Sequence, residues 1–289
     1  MACQICRSKS ISFKISIKDY EYNPSYSVEY KTCNNCNAIY RNKLKKTNAR
    51  KLYTKEYMPI SGGFIYDFLK KLNASYEWRI IRRLNFDKFT NKGLKLKILD
   101  IACGKGFLIK KISKNSNLVC IGIDINQNTK KKNNLSYFKK SFSEFSFIRN
   151  VNPDYIILNN FIEHIEDLND FKNFINTLKK KVYLIIITPD SSGRSKKIFG
   201  KYWSGYHSPR HVNIFNKKSM KLLLKKNNLE YTIKSMFDPL STLSSLKNCV
   251  TDLKHSFSFK KSYKLISFLI YSFSDFIYKN RMIIVCRKK

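Results

Sequence analysis

The stretch Leu99-Asp-Ile-Ala-Cys-Gly-Lys-Gly-Phe107 turns an apolar run into a glycine-spaced loop and then into a helical pattern. Small residues at such a junction let the backbone pass close to a ligand, and the helix start presents free amides to it. A second apolar run, Ile121-Gly-Ile-Asp124, ends in an acid 18 residues beyond Gly106. That is about where nucleotide-binding α/β folds place a carboxylate for two ribose hydroxyls. A dinucleotide cradle asks for another Gly or Ala three residues after Gly106, and Ile109 stands there, so the loop does not fit a pyrophosphate.

Outward from this loop, short buried strands alternate with amphipathic helices, which predicts a doubly wound α/β sheet. Strands are expected at residues 97–102, 118–124, near 137–140, 154–160, 182–188, 230–236 and 282–287, and helices at 107–113, 168–180 and 217–228. Residues 46–95 read as a helical linker, with Ser61-Gly62-Gly63 as its clearest breaker. Residues 96–289 form the main domain, with a lid or insert near 190–215 and a helical insert near 240–280.

The first 45 residues form a separate unit. Cys3-x2-Cys6 and Cys33-x2-Cys36 are two pairs separated by 26 residues. A two-residue gap lets both thiolates of a pair reach one tetrahedral ion at about 2.3 Å, and two such knuckles close a four-cysteine shell. The spacing predicts a zinc ribbon whose Zn2+ is structural, because four thiolates leave no open position. Asn37 stands after Cys36, where knuckles place Gly, and tolerates positive φ.

Length and composition bound the remaining classes. With 289 residues and 43% hydrophobic content, the chain can bury a core, which excludes a disulfide-dependent mini-protein and wholesale disorder. The net charge of +36 comes from 45 Lys and 11 Arg against 20 acids, alongside 28 Asn, a balance that reads as AT-rich coding more than as a phosphate-binding surface. No leader segment is visible at the start, and eight cysteines suit a reducing compartment, so a cytoplasmic location is expected. The most apolar stretch, residues 263–278, is interrupted by serines and Asp275, so no transmembrane segment is expected. Its helical spacing of Leu265, Phe268, Leu269, Phe273, Phe276 and Ile277 predicts core or dimer packing, with peripheral membrane contact as the alternative. A monomer or homodimer follows.

With the loop at 99–106, Asp124, and Asn159-Asn-Phe-Ile-Glu-His-Ile-Glu-Asp167, the chain from about Leu96 onward resembles the class I S-adenosylmethionine-dependent methyltransferases. The segments Thr188-Pro-Asp190, Phe199-Gly-Lys-Tyr-Trp203 and Pro209-Arg-His-Val-Asn-Ile-Phe215 look like bacterial enzymes of sugar, polysaccharide and quinone pathways, a group in which a short four-cysteine zinc ribbon recurs. The resemblance implies a Rossmann-like, seven-stranded sheet whose last strand runs antiparallel beside the fifth, and S-adenosyl-L-methionine as cofactor. It places Asp100 near the amino end of the methionine moiety, with Ala102, Cys103, Gly104 and Gly106 as the loop beneath it. Asp124 takes the ribose, Ile125 and the region of Ser141 flank the adenine, and Asn159, Asn160 and Phe161 line the floor under the sulfonium. Ser141, Ser143 or Glu144 stands in for the family's acid after the third strand, and Ala102 replaces its commonest first Gly.

Methyl transfer to an alcohol or C–H acid needs a group that removes a proton. Of four histidines, His164 and His211 are the base candidates, and each has an alternative as a packing or capping residue. Glu163, Trp203, Tyr206 and Arg210 are candidate acceptor contacts, Arg210 for a phosphate or carboxylate, the aromatics as a lid or as packing. The expected activity is methyl transfer to oxygen or carbon of a small anionic molecule, a nucleotide-linked sugar or other polysaccharide precursor. The alternatives are a zinc-ribbon methyltransferase of ribosomal RNA and a non-enzymatic zinc-ribbon binding protein on a degenerate domain.

Overall fold

The computed structural model describes residues 2–44, 52, 63–86, 95–255 and 279–289. Residues 263–278 lie outside these, so the packing expected for their apolar stretch does too.

The chain opens with β1 (Ile11–Asp19), β2 (Asn23–Cys33) and β3 (Ile39–Arg41), paired antiparallel in that order. Helix α1 (Phe64–Ile81) follows, ending in a π turn at Arg82–Phe86. The expected α/β alternation then begins: β4 (Leu96–Ile101), α2 (Phe107–Ile112), β5 (Leu118–Asp124), β6 (Lys130–Lys132), β7 (Leu135–Lys139), α3 (Phe145–Val151) and β8 (Tyr155–Asn159). Next come α4 (Leu168–Thr177), β9 (Tyr183–Pro189), α5 (Arg194–Phe199), β10 (Asn213–Ile214), α6 (Lys217–Lys226), β11 (Leu229–Met236), α7 (Pro239–His255) and β12 (Arg281–Lys288).

The main sheet runs β11-β12-β9-β8-β4-β5-β7-β6. Strands β7, β5, β4, β8 and β9 are parallel, and β12 lies antiparallel between β9 and β11, the seven-stranded order that the resemblance implies. An eighth short strand, β6, pairs antiparallel with β7 at the edge. Its three exposed lysines carry no apolar pattern by which a strand is read.

Burial explains the order. Strands β4, β8 and β9 are covered on both faces, so they are continuous apolar runs, as parallel strands under crossover helices must be. Ile98 of β4 packs with Ala74, Leu108 and Ile112 on the α1/α2 face, while Leu99 and Ile101 pack with Phe171, Phe174, Met220 and Leu224 on the α4/α6 face. Asp167 caps α4 by accepting from Asn169 N–H, and Asn216 and Ser219 form a reciprocal capping box on α6. The chain leaves β4 toward β5 on one side and returns to β8 on the other, which opens a crevice at the carboxyl ends of these strands.

The ribbon is joined to this domain. Strand β10, within the segment read as a lid, pairs with β3 through Asn213 and Tyr40, and Ile214 and Ile39, to complete a four-stranded sheet. Cys3, Ile5, Cys33 and Cys36 share the core cluster of the α4/α6 face. Among the described residues no helix is long and apolar enough to cross a membrane.

Candidate active site

The loop after β4 needs left-handed backbone at three places, with φ of 56° at Ala102, 53° at Gly104 and 75° at Gly106. At Gly106 a Cβ would lie 2.5 Å from the Tyr137 ring, so the close approach of loop to β7 admits glycine only. The Gly104 N–H donates to Asp124 Oδ2 at 2.9 Å, and the Asn126 N–H donates to Oδ1 at 2.9 Å. Gln127 Nε2 donates to the Gly104 carbonyl at 2.5 Å. Asp124, at the end of β5, is thereby braced against the loop, with Ile125 exposed beside it. Cys103 is no nucleophile here: burial, then the nearby Asp100 and Asp124, push its thiol far above its ordinary range, and Lys105 pairs with Asp67 instead.

Asp100 lies on β4 beneath this loop, 3% exposed, and its carboxyl has no hydrogen-bond partner among the described residues. Burial, then Glu77 and Asp124, raise its pKa well above the carboxylate range. An unsatisfied buried acid is costly, and an ammonium group placed against it would remove that cost. This is the fit that the methionine end of S-adenosylmethionine requires.

The floor is a polar network that no sequence pattern announces. Arg281, 2% exposed, donates through Nη1 to Glu77 Oε1 at 2.9 Å and through Nη2 to Asn159 Oδ1 and Asn160 Oδ1, both at 2.8 Å. Asn159 Nδ2 returns a bond to Glu77 Oε2 at 2.9 Å. Asn159 and Asn160 at the end of β8 are therefore oriented from below. Glu77 and Arg281 are 204 residues apart. Glu77 sits in a helix of mixed polarity and Arg281 at a strand start, so both read as ordinary surface charges.

Beyond the exit of β8 three histidines gather. The ring centroids of His164 and His211 are 4.6 Å apart, and His207 lies 5.1 Å from His211. Burial, then His207 and Arg210, hold His164 down to about 3, and burial followed by His164 keeps His211 well below its ordinary value. Glu163, fully buried, accepts from Thr188 Oγ1 at 2.9 Å, and its pKa is raised to about 7 by burial.

The other expected contacts lie where ribbon meets lid. Arg210, read as an anion ligand, is 3% exposed and donates through Nη1 and Nη2 to Asp19 of β1 at 3.1 and 3.0 Å. Trp203 and Tyr206 are buried with Ile17, Tyr30 and Ile39, which is the packing alternative, and a Cβ at Gly205 would overlap the Trp203 indole. Glu21 Oε1 lies 3.0 Å from His207 Nδ1, and Tyr30 Oη donates to the His211 carbonyl at 2.9 Å. Glu144 is engaged by the Ser141 N–H and by Lys140.

The four ribbon cysteines converge. All four Sγ atoms lie within 4.8 Å of one another, with Cys3–Cys36 at 3.6 Å and Cys6–Cys33 at 3.4 Å. A tetrahedral ion with bonds of about 2.3 Å sets sulfurs roughly 3.8 Å apart, so these thiols fit one. Each knuckle turns through a positive φ, 64° at Arg7 and 57° at Asn37, which frees Arg7 N–H and Asn37 N–H to bond the Cys3 and Cys33 carbonyls at 2.9 Å.

Residues 69–234 match a family model described as a methyltransferase domain. That is more than half of the chain. It belongs to the methyltransferase-domain family. The protein is thus an S-adenosylmethionine-dependent methyltransferase, with the loop, Asp100 and Asp124 inside the matched segment. Comparison with curated proteins finds no match. Among solved structures, a SAM-dependent methyltransferase from Archaeoglobus fulgidus is 16% identical with a TM-score of 0.47, over 76% of this chain and 94% of that one. Phosphoethanolamine N-methyltransferase 2 of Haemonchus contortus, solved with phosphomonomethylethanolamine and S-adenosylhomocysteine, is 18% identical with a TM-score of 0.47, over 84% of this chain and 58% of that one. A cyclopropane-fatty-acyl-phospholipid synthase-like protein from Lactobacillus casei is 12% identical with a TM-score of 0.48, over 85% of this chain and all of that one.

The Asp19–Arg210 pair is open to a direct test. Removing Asp19 leaves a buried guanidinium uncompensated, so Asp19→Ala in this methyltransferase should lose about 3–5 kcal/mol. That corresponds to a fall in Tm on the order of 10 °C by differential scanning calorimetry. An unchanged Tm would show that the pair does not hold ribbon and lid together.

Proposed function

We propose that this methyltransferase acts on oxygen or carbon of a small anionic acceptor, a nucleotide-linked sugar or related polysaccharide precursor. The observation that carries this reading is the cluster of Glu163, His164 and His211, which follows the Asn159–Asn160 floor on the same β8 exit and supplies proton-handling groups that an amine acceptor would need far less. In this reading Asp100 pairs with the cofactor's ammonium group, Asp124 takes the ribose hydroxyls, and Ala102, Cys103, Gly104 and Gly106 carry the backbone beneath them. Ile125 flanks the adenine, and Phe161 with the two asparagines closes the floor. When bound, S-adenosylmethionine supplies an electrophilic methyl and its own leaving group. The chain's residues align the acceptor in line with that methyl, exclude water and pass the acceptor's proton to Glu163, the member of the cluster whose pKa of about 7 suits a base, since both histidines are held too low to take it.

Zn2+ is the ion we assign to the ribbon, in a structural role. Because the knuckles share a core with α4 and α6, chelating it should lower the Tm of the whole chain in one transition. A separate ribbon transition in calorimetry, with the main one unmoved, would count against that role.

RNA is the second acceptor class, favoured by the exposed lysines of β6. Labelled methyl transfer to nucleotide-linked sugars and to ribosomal RNA, run side by side, decides between them. Transfer to RNA alone, with affinity falling steeply as salt rises, overturns the small-acceptor reading.

The cofactor assignment predicts a pH dependence. Asp100 is protonated up to a raised pKa, and an ammonium partner favours its ionised form, so S-adenosylhomocysteine should bind more tightly as pH rises through that pKa, with release of a proton. Calorimetry in buffers of different ionisation enthalpy checks the release. At a hundredfold excess over Kd the wild type should gain about 2.7 kcal/mol of stability. Asp100→Asn and Asp124→Ala should lose most of that gain; if both retain it, the assignment fails.

A further inference from the structure

We propose that β11 is an association edge on which two copies of this chain pair antiparallel about a two-fold axis at Thr232, so that the main sheet continues from one protomer into its partner.

Among the described residues β11 is the last strand of the sheet and is hydrogen-bonded along one side only, to β12. Its register with β12 runs from Leu229 to Met236 without a bulge. An antiparallel strand turns alternate N–H and C=O groups away from its neighbour, so the outer side presents a regular row of donors and acceptors. Proteins blunt such edges with proline, bulges, short strands or exposed lysines. The opposite edge of this sheet is blunted in that way, since β6 is short and offers three exposed lysines. Strand β11 is longer, holds no proline, and carries one charge of each sign, Glu230 and Lys234.

Symmetry then selects the register. In a two-fold antiparallel pair, residues equidistant from the axis face each other. With the axis at Thr232, Glu230 faces the partner's Lys234 and Lys234 faces the partner's Glu230, so both charges are matched at once. No other register sets these two charges opposite each other. Glu230, Thr232 and Lys234 are exposed on one face, along a groove shared with Ile283 and Val285 of β12. Lys234 has no ion pair among the described residues, whereas Glu230 meets Arg287 of β12. On the other face Tyr231 would meet the partner's Ile233, an aromatic against a β-branched side chain. Both already pack at the border of the α4/α6 core, so pairing would extend that core across the axis. Two chains of +36 each repel, and they associate only where opposite charges are matched locally, as they are in this row.

Sedimentation equilibrium of the full chain, its ribbon loaded with zinc, should show a monomer–dimer equilibrium. Lys234→Glu sets acid against acid on both sides of the axis and should raise the dissociation constant about tenfold or more. Glu230→Lys should do the same with the opposite sign. Mixed in equal amounts, the two variants should form a heterodimer close to wild-type strength, because every facing pair is again of opposite charge. Combining both substitutions in one chain should restore self-association for the same reason. If Glu230→Lys does not fold, Lys234→Ala should dimerise more weakly than the wild type and more strongly than Lys234→Glu. A wild type that stays monomeric, single variants that dimerise as it does, or a mixture no tighter than its components, overturns the proposal.

Discussion

A single buried guanidinium ties together the carboxyl end of β8, helix α1 and the start of β12. Arg281 cannot be desolvated without compensation, and the fold supplies it from Glu77 and Asp238 as charges and from Asn159 and Asn160 as acceptors. These residues belong to α1, to the segment leading from β11 into α7, and to the exit of β8. The planar fork of five donors lets one side chain fix all of them at once, which a lysine at the start of β12 would not do. The antiparallel placement of β12 between β9 and β11 is what delivers Arg281 to that point. The sheet order and the orientation of the two floor asparagines are thus one constraint.

The histidine cluster depends on a second long-range constraint. Asp19 and Glu21 of the ribbon reach Arg210 and His207, and β3 pairs with β10. The ribbon therefore forms the back wall of the histidine cluster. The four converging thiols sit at the other end of the same ribbon, at the start of the chain and at the end of β2.

The parallel strands were legible because burial on both faces leaves an unbroken apolar run, and Leu118–Asp124 is read to the residue. The glycine-spaced turn after β4 was legible because positive φ and close approach leave few residue types to choose from. What could not be read is of two kinds. Strands β6 and β10 are two or three residues long and depend on a partner for their existence, so their own composition says little. The buried pairs Glu77–Arg281 and Asp19–Arg210 join residues about two hundred positions apart, and a charge destined for burial looks like any other charge. Arg210 is instructive: its type marked it as an anion's partner, and the anion turned out to be internal.

The basic composition also changes meaning once burial is known. Among the described residues seven acids are buried, Asp19, Glu77, Asp100, Glu163, Asp190, Asp238 and Asp252, against three arginines and no lysine. Among the described residues folding thus withdraws more negative than positive charge from the surface, which adds to the basic balance of the composition. Such a field concentrates anions near the surface and repels free cations, over a range of about 8 Å at physiological salt.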